Sequence, residues 1–225
     1  MQNTPLPRKK TVRLLQFTLL LIAVIGGFYA ANVILDSDNS TNNNPISYRA
    51  LKVYPQPKPL QHIQLTDKNE QKLTAEHLKG QWTLLFFGYT YCPDVCPTTM
   101  TDMQVLHQQI RSKGLEPPQV LLVSVDPERD TPAQLKKWIG FFNPEFQAAT
   151  GTPNALEAMA REVGAAYFIG DHQPGDTNYP VDHTAAIFLL DPQARLYGLF
   201  TSPHHLPDMV EDLSQLIKRT ANNNT

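Results

Sequence analysis

The sequence predicts an α/β domain, a central mixed sheet flanked by helices, preceded by one N-terminal transmembrane helix. Three observations predict it. Apolar runs of strand length alternate with amphipathic runs of helix length, the pattern of strands covered by helices on both faces. The only two cysteines in 225 residues lie between the first buried strand and the helix that follows it. The domain then closes on two strands joined by Asp191-Pro192-Gln193-Ala194, followed by a last helix. Right-handed crossovers leave few topologies for that order.

The N-terminal part is read from charge. Residues 1–13 form a basic head with Arg8, Lys9, Lys10 and Arg13 and no acid. From Leu14 to Leu35 there are 22 uncharged residues, enough to cross a hydrocarbon core of about 30 Å at about 1.5 Å per residue. A cleaved signal peptide has a shorter apolar region and a small-x-small site. Here Gly27-Phe28-Tyr29-Ala30-Ala31 sets Phe28 or Tyr29 where a small residue is needed. Residues 14–35 therefore read as an uncleaved anchor. The basic flank stays in the cytoplasm, so the expected location is the inner (cytoplasmic) membrane, single pass, with the C-terminal domain in the periplasm. In a mitochondrion that side would be the intermembrane space.

Residues 36–47 read as a flexible linker, since Asp36 to Asn44 contains no apolar side chain. Residues 48–219 form one domain, large enough for a sound core without disulfide staples. Residues 220–225 read as a disordered tail. Without the four basic residues of the head, the 19 Lys+Arg fall to 15 against 21 Asp+Glu, a net charge of −6. An acidic domain has no electrostatic case for binding nucleic acid.

Within the domain, residues 55–65, with Pro55, Pro57 and Pro59, read as an extended lead-in. Ile63 to Asp67 and Gln71 to Thr74 suit a hairpin around Lys68-Asn69-Glu70. Trp82 to Gly88 is the first central strand, apolar on both faces. A helix from Pro97 to about Lys113 follows, with Met100, Met103, His107 and Ile110 at spacings of three and four, Cys96 as its N-cap and Gly114 beyond its end. Val120 to Val125 is a second buried strand. Thr131 caps a helix that starts at Pro132 and runs to Phe142. Phe146 to Thr150 is a short strand, and Thr152-Pro153 opens a helix that ends at Gly164. Thr184 to Leu190 and Arg195 to Phe200 are antiparallel partners, and Pro207 to about Lys218 is the last helix.

Strand, thiol-bearing turn and helix, as in Trp82 through Thr99, is the layout of a thioredoxin-like active site. Unpaired N–H groups and the dipole of the helix start favour thiolate over thiol. Cysteines four apart are open to three uses: a redox dithiol, a metal clamp or a structural disulfide. Closing so short a loop restricts the unfolded chain little, which favours a reversible or metal-binding pair. A closed zinc site needs four ligands, and no second cysteine pair exists. His62, His77, His172, His204 and His205 carry no pattern that separates them from ordinary surface or core histidines, and His107 suits packing. His183 differs. In a thioredoxin-like fold the turn entering the late strand lies against the start of the active-site helix, within reach of Cys92 and Cys96. Two thiolates and an imidazole are a soft set that suits Cu(I) and, with one further weak ligand, Cu(II). Asp126, Glu128, Arg129 and Asp130 follow a strand's carboxyl end, where sites in such folds gather. Asp126-Pro127 also suits a strand end, and Asp130 a helix cap.

In three blocks the chain resembles the Sco/SenC copper proteins of cytochrome c oxidase assembly. They are Gly88 through Pro97 with its Cys-x-x-x-Cys, Ser124 through Thr131, and Val181-Asp182-His183-Thr184. The resemblance implies a thioredoxin-like fold in which Cys92, Cys96 and His183 bind one copper. It implies the partner too: cytochrome c oxidase subunit II, whose binuclear copper site is loaded with copper or has its thiols reduced. Another copper chaperone or a thioredoxin-like reductant would serve upstream. The enzyme alternative is a thiol-disulfide oxidoreductase without copper transfer, with Cys92 and Cys96 as its redox pair. Such enzymes place a cis-proline just before the late strand, where this chain has Asp182-His183 and its Pro180 comes too early. A thiol peroxidase would need Thr where Tyr89 stands.

Overall fold

The computed structural model describes residues 21–27 and 47–223, and the chain divides into two compact units, 1–47 and 48–225. In the first unit, residues 21–27 are helical and exposed. The head expected over 1–13, most of the anchor over 14–35 and most of the linker over 36–47 lie outside the described residues. Among those described, no helix is long and apolar enough to cross a membrane.

The second unit is a mixed α/β fold of the thioredoxin type. Its main sheet has eight strands in the order β1-β10-β9-β4-β5-β6-β2-β3. These are β1 (Leu51–Pro59), β2 (Leu65–Asp67), β3 (Lys72–Leu73), β4 (Thr83–Gly88), β5 (Gln119–Ser124), β6 (Gln147–Thr150), β9 (Ile187–Leu190) and β10 (Arg195–Phe200). Four α-helices flank it: α1 (Val95–Ser112), α2 (Pro132–Phe142), α3 (Pro153–Val163) and α4 (Leu206–Asn223). A separate pair, β7 (Tyr167–Ile169) and β8 (Val181–His183), stands apart from the main sheet.

β4 lies at the centre, parallel to β5 and antiparallel to β9. All six of its residues are buried, as a strand covered on both faces must be. Local signals set the helix ends. Thr131 Oγ1 accepts from the Gln134 amide and Thr152 Oγ1 from the Ala155 amide, each at 3.3 Å, satisfying donors that the first turn leaves free. Gly164 closes α3 at φ +80, a left-handed conformation that costs a residue without Cβ nothing.

Four elements differ from expectation. Pro55, Pro57 and Pro59 belong to an edge strand, β1, which pairs with β10 across a register shift between Val53 and Lys58. An edge tolerates residues that donate no ladder bond. The late strand β9 begins at Ile187 rather than Thr184, because the chain first spends Val181–His183 on pairing with β7. Helix α1 begins at Val95, so Cys96 sits inside its first turn and Asp94 takes the N-cap position. Finally, α4 continues to Asn223, through residues expected to form a disordered tail. No Gly or Pro follows Arg219 to stop it.

Candidate metal centre

The site is built where three loops meet. The first leaves β4 at Gly88 and enters α1. An ideal Cβ on Gly88 would lie 2.9 Å from Cys96 Sγ and 3.1 Å from the Phe86 ring, so only glycine lets the helix start settle this close to the strand. Cys96 is fully buried and Cys92 is 9% exposed; both are free thiols. The Asp94 side chain makes no capping bond. Instead the Cys96 amide donates to Cys92 Sγ at 3.4 Å. A sulfur four residues back does what a cap oxygen normally does, which is why α1 starts earlier than Pro97 suggests. Pro97, third in the helix, removes an N–H that had no helical acceptor.

The third donor arrives on β8. Cys96 Sγ and His183 Nε2 are 3.3 Å apart. The other ring nitrogen, Nδ1, lies 3.2 Å from the Thr184 carbonyl. A carbonyl can only accept, so Nδ1 carries the hydrogen and Nε2 presents its lone pair to the sulfurs. The Phe86 and Tyr89 rings meet the imidazole edge-on at 5.5 and 6.0 Å between centroids, holding its plane. One donor atom each from Cys92, Cys96 and His183 lie within 4.8 Å of one another, and this is the one such group among the described residues. First-row metal bonds of about 2.0–2.3 Å put three planar donors about 3.5–4 Å apart. The set fits a soft ion after small adjustments.

The two thiols are unequal. The Cys92 thiol is held down to about 5 by its bond from Cys96, against the opposing effect of burial, with the Asp94 and Cys96 amides also helping. Cys96 is pushed up, by that same shared bond and by burial. One sulfur is a thiolate and the other keeps the proton between them.

The second loop, after β5, supports both others. Asp130, fully buried, accepts from the Thr90 amide at 2.8 Å and from the Thr90 and Ser124 hydroxyls at 2.6 Å each. It does not cap α2; it pins the thiol loop to β5. Burial pushes its carboxyl up, against the pull of those three bonds. Asp126 accepts from the Tyr179 hydroxyl at 2.7 Å and pairs with Arg129 Nε. His172 stacks on Tyr179 at 3.8 Å and bridges the Gly170 carbonyl and Glu128. Tyr179, Arg129 and His172 have no periodic signal, because the contacts that define their roles join segments about 50 residues apart. His107 is not a ligand: it is buried against Phe146, with Nε2 at the Pro118 carbonyl.

Comparison with known proteins places this geometry. The SCO1/SenC family profile matches residues 55–218. A relative from Stutzerimonas stutzeri is 34% identical over 163 residues, 72% of this chain and 79% of its own. The bovine mitochondrial SCO2 homolog is 37% identical over 142 residues, 63% of this chain and 52% of that protein, so the chain spans about half the length of that relative. Among solved structures, Bradyrhizobium japonicum ScoI with copper bound is 34% identical, with a TM-score of 0.57, over 69% of this chain and 96% of that one. Yeast Sco1 with copper bound is 26% identical, with a TM-score of 0.66, over 72% and 90%. With the family profile spanning all of the sheet but the first residues of β1, and all three donors, the chain belongs to the SCO1/SenC family.

Proposed function

We propose that the chain is a membrane-anchored copper-binding metallochaperone that helps assemble the binuclear copper site of cytochrome c oxidase subunit II. Cys92, Cys96 and His183 hold the ion. The observation that carries the reading is the convergence of these three soft donors, with the imidazole lone pair already aimed at the sulfurs. The copper-bound ScoI and Sco1 structures support it as relatives. So does the charge of the sequence: a basic head, a long uncharged run and an acidic domain suit an inner-membrane protein whose domain faces the periplasm.

Copper is cargo here, and transfer proceeds by ligand exchange. A site of three ligands stays open to a fourth, so an incoming partner thiolate binds before His183 or a cysteine leaves, and the ion is never free. Loading comes from another copper chaperone, and a thioredoxin-like reductant keeps the pair reduced.

A second reading, thiol-disulfide oxidoreductase, is favoured by one observation: the unequal thiols, a reactive thiolate at Cys92 beside a buried resolving thiol at Cys96. One experiment separates the two. The reduced protein is titrated with Cu(I) against a competing chelator without oxygen, and again as His183→Ala. One tightly held copper, loosened at least about 10-fold without His183, supports the chaperone. Weak binding indifferent to His183, with an easily reduced Cys92–Cys96 disulfide, supports the oxidoreductase.

A further inference from the structure

We infer that Arg129 is a positioning residue of the copper site, clamping the excursion that carries His183 onto the loop that carries Cys92; the inference rests on the copper reading above. His183 belongs to the two-stranded β7–β8 pair, so the ladder of the main sheet does not set its place. Several bonds in this excursion are internal to it, such as the Gly170 amide to the Pro180 carbonyl and the Thr184 amide to the Ala166 carbonyl. Its ties to the β5 loop converge on Arg129 and the residues beside it.

The Arg129 side chain is 5% exposed. Its Nε pairs with Asp126, and one terminal nitrogen donates to the Thr177 and Tyr179 carbonyls at 3.0 and 3.1 Å. Its guanidinium carbon lies 3.6 Å over the Tyr179 ring, 5.1 Å from Tyr91 and 5.4 Å from Tyr89. Tyr91 adjoins Cys92 in sequence, and the Tyr89 ring also meets His183. One planar cation thus touches the thiol loop, the β5 loop and the excursion two residues before β8 begins. Its remaining terminal nitrogen is buried with no acceptor among the described residues. The other contacts therefore outweigh an unmade bond in fixing where the guanidinium sits. Lysine, a point charge on a flexible stem, cannot lie flat on Tyr179 while bonding a carboxylate and two carbonyls.

The test compares the reduced full chain with Arg129→Lys, His183→Ala and the double variant. Cu(I) affinity is read by competition, and the His183 imidazole signal by NMR in the copper-free protein. Arg129→Lys is expected to loosen copper at least about 10-fold, as loss of an orienting group behind a ligand does. It should also shift the copper-free His183 signal. The double variant should bind no more weakly than His183→Ala alone. Copper affinity within about twofold of the unsubstituted protein, or losses that simply add, overturns the inference and leaves the copper reading intact. If the unsubstituted protein holds no copper, the copper reading fails. The copper-free His183 signal then decides Arg129 alone: moved supports the clamp, unmoved removes it. Should Arg129→Lys not fold, Tyr179→Phe keeps the ring under the guanidinium and removes the hydroxyl bond to Asp126. It is expected to move the same His183 signal by a smaller amount, and an unmoved signal overturns the clamp.

Discussion

Cys96 Sγ and His183 Nε2, 87 residues apart in the chain, approach to 3.3 Å. With the His183 Nδ1 hydrogen committed to the Thr184 carbonyl, the Cys96 proton has two acceptors, the Cys92 thiolate and the imidazole lone pair. A metal ion that takes all three lone pairs has one proton to displace. The contact is therefore a ligand set held together by a hydrogen, and its chemistry is open to titration.

Copper binding should release about one proton per ion near neutral pH. Cys92 is already ionised there and Cys96 is not, so the thiol pair has one proton to give up. Calorimetry of Cu(I) binding in buffers of different ionisation enthalpy measures the count. It should rise as pH falls toward 5, where Cys92 takes up its own proton. A release of two protons at neutral pH would show that both thiols start protonated.

The thiolate at Cys92 makes stability depend on pH. Its folded value lies near 5, below the ordinary 9.0, so between those values the unfolded chain binds the extra proton. The stabilisation is complete above about 9 and is lost as pH falls through about 5. Cys96, pushed up from 9.0, acts in the opposite sense and withdraws stability above that pH. Denaturant unfolding of the reduced protein and of Cys92→Ser should therefore converge in stability from pH 9 down to pH 5. Iodoacetamide should alkylate Cys92 with a midpoint near 5. A midpoint near the ordinary 9.0 would contradict the thiolate.

Gly88→Ala tests the packing under the site. The new methyl would stand 2.9 Å from Cys96 Sγ, 3.1 Å from Phe86 and 3.2 Å from Leu122. Overpacking of this kind costs about 1–3 kcal/mol, and the neighbour with most to lose is the sulfur that touches His183. Chemical unfolding should show the loss in stability, and competition titration a weakened Cu(I) site. Unchanged values of both would mean that α1 does not press on the strand as described.

Much of this protein was determined locally. Thr131, Thr152, Gly114 and Gly164 mark helix ends because each acts on backbone groups a few residues away. The apolar run before the thiols has the length and composition of a covered strand, and the two cysteines with their prolines announce the site. His183 was legible as a candidate through its place before a late strand. What surrounds it was not. The pairing of β7 with β8, the edge role of the Pro-rich β1, and the joining of Arg129, Tyr179, Asp126 and His172 arise from segments that meet only in the folded chain. The sulfur of Cys92 in place of a cap oxygen is a local contact, but nothing in residue type distinguishes it from a plain thiol. Sequence by itself determined the donors, since chemistry resides in side chains. Tertiary structure alone decided their distance, their tautomer and which sulfur holds the proton, since these depend on hydrogen bonds and burial that no single segment supplies.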